Sequence, residues 1–184
     1  MKYFKKFLLL VAALVMAIGI FTVSANAAQS YTLKLNANGG KISTGATTYS
    51  KKVKKKAKVG TLPSASKTGY TFKGWYTAKS GGTKITASTK YTYSKNMTLY
   101  ARWTANKYTL TINANGGKYA SGKTSASKKV TYAAKVGTLG TPTRTGYTFA
   151  GYYTAKTGGT KVAATTVYKY AKNVTLYALW TANK

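Results

Sequence analysis

The sequence predicts two tandem, β-rich α+β domains behind an N-terminal export signal. Three observations predict it. Residues Tyr31–Lys107 align without a gap on Tyr108–Lys184 at an offset of 77, with about 50 of the 77 positions identical. Within each copy, apolar and polar residues alternate with period two, as in half-buried strands. Thr, Tyr and Val are abundant, which favours sheet. No sustained 3.6-residue apolar stripe occurs beyond the first 30 residues. At most one short helix per unit is expected, within 50–68 and 127–145.

The chain opens on a charged start. Met1–Lys6 carries three Lys, Phe7–Val23 is an uncharged run of 17 residues, and Ala25 and Ala27 form an A-x-A exit. That order is a secretory signal with cleavage after Ala27. The rival is an uncleaved anchor, for which the run is at the short edge of a span. The expected organisation is a signal peptide over 1–27, repeat domain 1 with a short TANK linker over 28–107, and repeat domain 2 over 108–184. No second apolar run occurs, so no transmembrane segment is expected in the mature chain.

In the first repeat, Tyr31, Leu33, Leu35 and Ala37 alternate with Thr32, Lys34 and Asn36 as an opening strand. Asn38-Gly39 supplies the positive-φ pair of a tight hairpin turn. Tyr70-Thr71-Phe72 starts another strand. Met97, Leu99, Ala101 and Trp103 alternate with Thr98, Tyr100 and Arg102 as a closing strand, and Gly81-Gly82 and Gly158-Gly159 mark turns. The expected core is Leu33, Leu35, Val59, Leu62, Phe72, Trp75, Leu99 and Trp103, with their counterparts 77 residues on. Each unit is long enough for a small core of its own.

Composition excludes most chemistry. The 184 residues hold 30 Lys+Arg, no Asp or Glu, no His and no Cys, for a formal charge of +30. About a quarter of an ordinary chain is charged, and part of that is acidic. Without Asp, Glu, His or Cys, no side chain is normally poised for acid–base work near neutral pH. The usual side-chain ligands for zinc, calcium and transition metals are missing, and disulfides cannot form. No enzyme activity and no cofactor are expected.

The ordered motifs ANGG, VGTL, GYTFKGWYTAKSGGTK and TLYARW resemble the internalin B-repeat family, also called Listeria–Bacteroides repeats, found on bacterial surface proteins. The resemblance covers each unit nearly end to end. It implies a small β-grasp-like (ubiquitin-like) domain and a non-enzymatic surface or adhesion role. Family members usually carry Asp before ANGG, where this chain has Asn36 and Asn113. Asn keeps the turn hydrogen bonds of Asp, but the transformed charge alters what partner the resemblance implies. Copy two has Tyr152 in place of the Trp of the GW pair. No Leu-Pro-x-Thr-Gly sorting signal occurs, so covalent wall anchoring is not expected.

Three further features have a plain and a sharp reading. Gly117–Thr124 fits the phosphate-loop pattern G-x-x-x-x-G-K-[ST], but the residues after it read as coil and strand, and no Asp can serve magnesium. Chance explains it. The run Lys51, Lys52, Lys54, Lys55, Lys56 and Lys58 is either a solvated face or a polyanion-binding strip. The sharp reading is favoured because no carboxylate side chain neutralises it, and counterion release then drives sequence-independent binding. Copy two keeps only Lys128, Lys129 and Lys135 there. Repeat one has 16 basic residues against 11 in repeat two and is expected to bind harder. Tyr91, Tyr93, Tyr100, Tyr168, Tyr170 and Tyr177 either stack on sugars or bases from open strand faces or support the sheet by cross-strand packing. The second reading is the plainer one. With only two Arg, Arg102 and Arg144, bidentate reading of a nucleic-acid sequence is not expected.

These features point to a secreted, non-catalytic, strongly cationic protein held non-covalently on the cell envelope. Expected partners are anionic cell-wall polymers of the teichoic-acid type or glycosaminoglycan-like host glycans. The alternatives are a cationic antimicrobial protein or a secreted, non-specific nucleic-acid binder. The first of these usually needs an amphipathic helix, which the mature sequence lacks.

Overall fold

The computed structural model describes residues 29–184. The expected signal peptide, 1–27, lies outside the described residues. The described chain forms twelve strands: β1 Ser30–Asn36, β2 Lys41–Ile42, β3 Thr48–Lys54, β4 Ala65–Ser66, β5 Tyr70–Tyr76, β6 Lys84–Ile85, β7 Met97–Ala105, β8 Lys107–Asn113, β9 Ser125–Thr131, β10 Tyr147–Ala155, β11 Gly158–Val162 and β12 Val174–Ala182. The first repeat forms a five-stranded sheet in the order β3-β1-β7-β5-β6. The second forms its twin, β9-β8-β12-β10-β11. In each sheet one central pair is parallel: Leu35 of β1 lies beside Leu99 of β7, and Ile112 of β8 beside Leu176 of β12. The other pairings are antiparallel.

The α+β, β-grasp-like expectation is overturned. Among the described residues there is no helix, and both repeats are all-β. The physical reason lies in the segment after β3. Lys56 and Gly60 sit at positive φ (64° and 73°), as do Ala133 and Gly137 (62° and 76°). Right-handed helix cannot pass through such residues, and Pro63 lacks a donor. The backbone donors there find partners across the chain instead. Lys56 N donates to Tyr91 O, Val59 N to Thr89 O and Gly60 N to Ala87 O. The second repeat copies the pattern, with Ala133 N to Tyr168 O and Val136 N to Thr166 O.

The turn at Asn38-Gly39 has the expected pair of positive φ values, 47° and 83°. It does not pair its two flanking strands. β1 is bonded to β3 and β7, whereas β2 crosses to β4 through Ile42 and Ala65. The turn therefore carries the chain out of the five-stranded sheet, in which β1 is an inner strand.

One face of each sheet carries the core. Leu33, Leu35, Val59, Trp75 and Leu99 are buried, and Leu62, Phe72 and Trp103 pack against them. Leu110, Ile112, Val136, Tyr152 and Leu176 are buried in the second repeat, with Leu139, Phe149 and Trp180 alongside. Phe72 and Trp75 are three apart and would face opposite sides of a regular strand. A bulge between Phe72 and Gly74, whose φ is 119°, turns both inward. Their rings meet edge to face at 5.4 Å.

Copy two resolves the Trp-to-Tyr difference by chemistry. Trp75 Nε1 donates to Pro63 O at 2.8 Å. Tyr152 reaches the matching carbonyl, donating its hydroxyl to Gly140 O at 2.7 Å. Tyr119 then closes the space at 2.6 Å from the Tyr152 hydroxyl, from the position that Ile42 holds in the first repeat. Burial pushes the Tyr152 phenol well above its ordinary range.

Candidate polyanion-binding surface

The Lys run divides into groups with different geometry. Lys51 lies opposite Leu33 across β1, so it starts on the core-facing side of the sheet. Its Nζ donates to Val59 O at 2.8 Å and Thr61 O at 3.0 Å. Lys128 repeats this, opposite Leu110 and donating to Thr138 O at 2.9 Å. These two ammonium groups tie down the loop that covers the core. They hold backbone carbonyls and face away from the other sheet surface.

Lys52 and Lys129 point to that other surface. Each donates to a β-strand hydroxyl at 2.9 Å, Thr32 and Thr109 respectively, while remaining exposed. Lys54 ends β3, and Lys55, Lys56 and Lys58 occupy the tight turn that follows, all four exposed. Lys58 pairs with Lys90 across an isolated antiparallel bridge. Like charges placed opposite one another repel, and no carboxylate side chain anywhere in the sequence relieves them. In the second repeat Lys135 faces Val167 at the matching bridge, and the turn carries Tyr132 and Ala133 where the first has Lys55 and Lys56. The concentrated positive field thus sits at one corner of the first sheet.

The tyrosines also divide. Tyr91 and Tyr168 are 2% and 1% exposed and belong to the two cores, each donating to a backbone oxygen, Lys95 O and Lys172 O, at 2.6 Å. Burial raises the pKa of both. Tyr93 and Tyr170 pack edge-on against them at 5.5 Å. Of the six, only Tyr100 and Tyr177 lie on the side of the sheet away from the core, alternating with buried Leu99, Ala101, Leu176 and Ala178. Their register partners are Tyr76 and Tyr153, two residues that the sequence pattern does not single out. The bulge hides them, because it shifts the in–out alternation by one residue partway along β5 and β10. Cations gather at both pairs. Arg102 lies 4.3 Å over Tyr76 and Lys79 5.8 Å over Tyr100, while Lys161 and Lys156 lie 5.9 and 5.8 Å over Tyr153 and Tyr177.

Gly117–Thr124 leads into strand β9, not into a helix. Its amides are used internally, with Gly117 N bonded to Ala114 O, Tyr119 N to Lys123 O and Gly122 N to Tyr119 O. The helix N-terminus that cradles phosphate in the true pattern is absent here. Among the described residues, no helix is long and apolar enough to cross a membrane.

Comparison with known proteins agrees with the duplication. The family model for the Listeria–Bacteroides repeat domain matches twice, over residues 31–102 and 108–179. Internalin H of Listeria monocytogenes is 45% identical over 117 residues, covering 64% of this chain and 20% of that protein. A relative from Evansella cellulosilytica described as a Gly-rich membrane protein is 31% identical over 128 residues, 64% of this chain and 15% of its own length. The chain therefore spans about a fifth or less of the curated relatives it matches. With both repeats matched nearly end to end, the chain belongs to the Listeria–Bacteroides repeat domain family.

Proposed function

We propose that this is an exported, non-catalytic repeat protein of the cell surface that adheres to anionic polymers of the envelope or of host glycans by uncompensated charge. One observation carries the reading. Lys54, Lys55, Lys56, Lys58 and Lys90 converge, exposed, on one corner of the first sheet, with no acidic side chain in the sequence to neutralise them. A polymer of phosphate, sulfate or carboxylate groups relieves that repulsion and releases its own condensed counterions. The relatedness to Internalin H and to a protein described as a membrane protein supports a surface location. Retention is non-covalent and strengthens as ionic strength falls.

The test is a salt titration of binding to polyphosphate, teichoic acid, heparin and DNA. The quadruple variant Lys54→Gln/Lys55→Gln/Lys56→Gln/Lys58→Gln should weaken binding to all four and flatten the dependence of log Kd on log salt. Lys51→Gln/Lys128→Gln should leave that slope nearly intact and lower the melting temperature, because those ammonium groups hold loop carbonyls. Equal slopes for the quadruple variant and the parent would reject the corner as the site.

A further inference from the structure

The start of the closing strand in each repeat, beside the parallel pair, carries a second feature, independent of the Lys run. In the second repeat a groove of about 340 Å³ opens beside Tyr177, lined by Tyr170 and Val174, which border the core, and by Thr154, Lys172, Asn173, Thr175 and Tyr177. Lys156 Nζ lies 5.8 Å over the Tyr177 ring. The Asn173 side chain is already committed, its Oδ1 accepting from Thr109 N at 2.8 Å. The floor of the groove is therefore fixed by the parallel strand pair. The first repeat keeps Thr77, Lys79, Tyr93, Lys95, Asn96, Thr98 and Tyr100 at the matching positions. It also keeps the cation over the ring, Lys79 over Tyr100 at 5.8 Å, and the same lock, Asn96 Oδ1 accepting from Thr32 N at 2.8 Å. The copies differ in half or more of the turn lysines and agree in every polar and aromatic member of this constellation.

We propose that the groove at Tyr177 and the matching residues around Tyr100 are paired subsites for a charged sugar ring of an anionic polysaccharide. The inference rests on the polyanion reading above and deepens it by naming the ligand class. A tyrosine ring offers a flat apolar surface with a polar rim, which suits the C–H face of a pyranose. Lys156 and Lys172, or Lys79 and Lys95, supply positive charge for a sulfate or carboxylate on that ring. Thr154 and Thr175, or Thr77 and Thr98, offer hydroxyls to the sugar's own. A polymer of bare phosphates has no ring to stack and gains only from the charges. Two such subsites on one chain add avidity toward a long polysaccharide.

The experiment compares heparin, whose sugars are sulfated rings, with inorganic polyphosphate, which has none. Binding of the unaltered protein and of Tyr100→Thr/Tyr177→Thr is measured by calorimetry from about 50 mM to higher salt, where the charges are screened. Threonine keeps the strand propensity, and Tyr100→Leu/Tyr177→Leu serves as a second variant should the first not fold. Heparin affinity should fall about tenfold, the worth of one aromatic stacking interaction, with an unchanged salt slope and unchanged polyphosphate affinity. Tyr100→Phe/Tyr177→Phe should keep heparin binding. Equal loss for both polymers, or loss for neither, overturns the sugar subsites while leaving polyanion binding standing. Unaltered protein that holds neither polymer in dilute buffer overturns both readings.

Discussion

The core of the second repeat offers a sharp test of how one fold accommodates two solutions. Tyr152→Phe removes a hydroxyl that donates to Gly140 O at 2.7 Å and meets Tyr119 at 2.6 Å. Tyr152 is 3% exposed, so water cannot readily replace it. The loss should cost about 1–3 kcal/mol, the penalty for a buried acceptor left without its donor. For a unit of this size each kcal/mol lowers the melting temperature by roughly 4–8 °C. Tyr152→Trp alone should also destabilise, by about 1–3 kcal/mol, because the larger indole meets Tyr119. Tyr119→Ile/Tyr152→Trp rebuilds the first repeat's pair, in which Ile42 leaves room and Trp75 Nε1 donates to Pro63 O at 2.8 Å. It should recover most of that loss. Urea unfolding followed by hydrogen exchange at Leu110 and Ile112 assigns the change to the second repeat. A double variant no more stable than Tyr152→Trp would show that the two positions are not coupled, and the account of the substitution would be wrong.

Glycines, titration and salt give further expected outcomes. Gly69 has φ 78°, and a Cβ there would sit 2.4 Å from the Tyr132 ring; Gly146, at φ 76°, has nothing within 4 Å. Gly146→Ala should cost only the left-handed strain, about 1–2 kcal/mol, and Gly69→Ala distinctly more, as read by urea titration. Equal costs would mean that Tyr132 moves aside freely. Thermal stability should be flat between pH 4.5 and 7, because no Asp, Glu or His titrates there. Above pH 10 it should fall. The phenols of Tyr91, Tyr119, Tyr152 and Tyr168 are raised from 10.0 by burial. The unfolded chain therefore loses protons first, and the stability present below pH 10 is lost as pH rises toward the folded values. Measuring the melts in about 1 M salt separates this from relief of Lys repulsion. A flat alkaline limb would contradict the buried phenols. Near neutral pH, raising salt from about 10 to 150 mM should raise the melting temperature, since it screens uncompensated charge. A fall would refute the repulsion.

Each sheet is legible in the sequence only in part. Alternation at Tyr31–Ala37 and Met97–Trp103 reveals strands and their inward residues, since period two is a local property of the pleat. It does not reveal that Leu35 and Leu99, 64 residues apart, lie side by side in a parallel pair, because pairing is decided by what both strands bury together. The β-grasp-like expectation failed in segments without periodicity. At Lys56, Val59 and Gly60 the chain satisfies its donors against residues 87–91, a partner no local pattern announces.

The candidate surface follows the same division. Charge, duplication and the absence of acidic side chains are properties of composition, and the sequence by itself determined them. Which lysines meet solvent was decided only by tertiary structure. Lys51 and Lys52 are neighbours in one run, yet one holds Val59 O and Thr61 O beneath the loop and the other faces the opposite side. The tyrosines parted likewise: Tyr91 is core and Tyr100 is not, although both stand in similar alternating segments. A side chain's face is set by its strand, but whether that face is covered depends on where distant loops come to rest, and loops bury what the sheet leaves open.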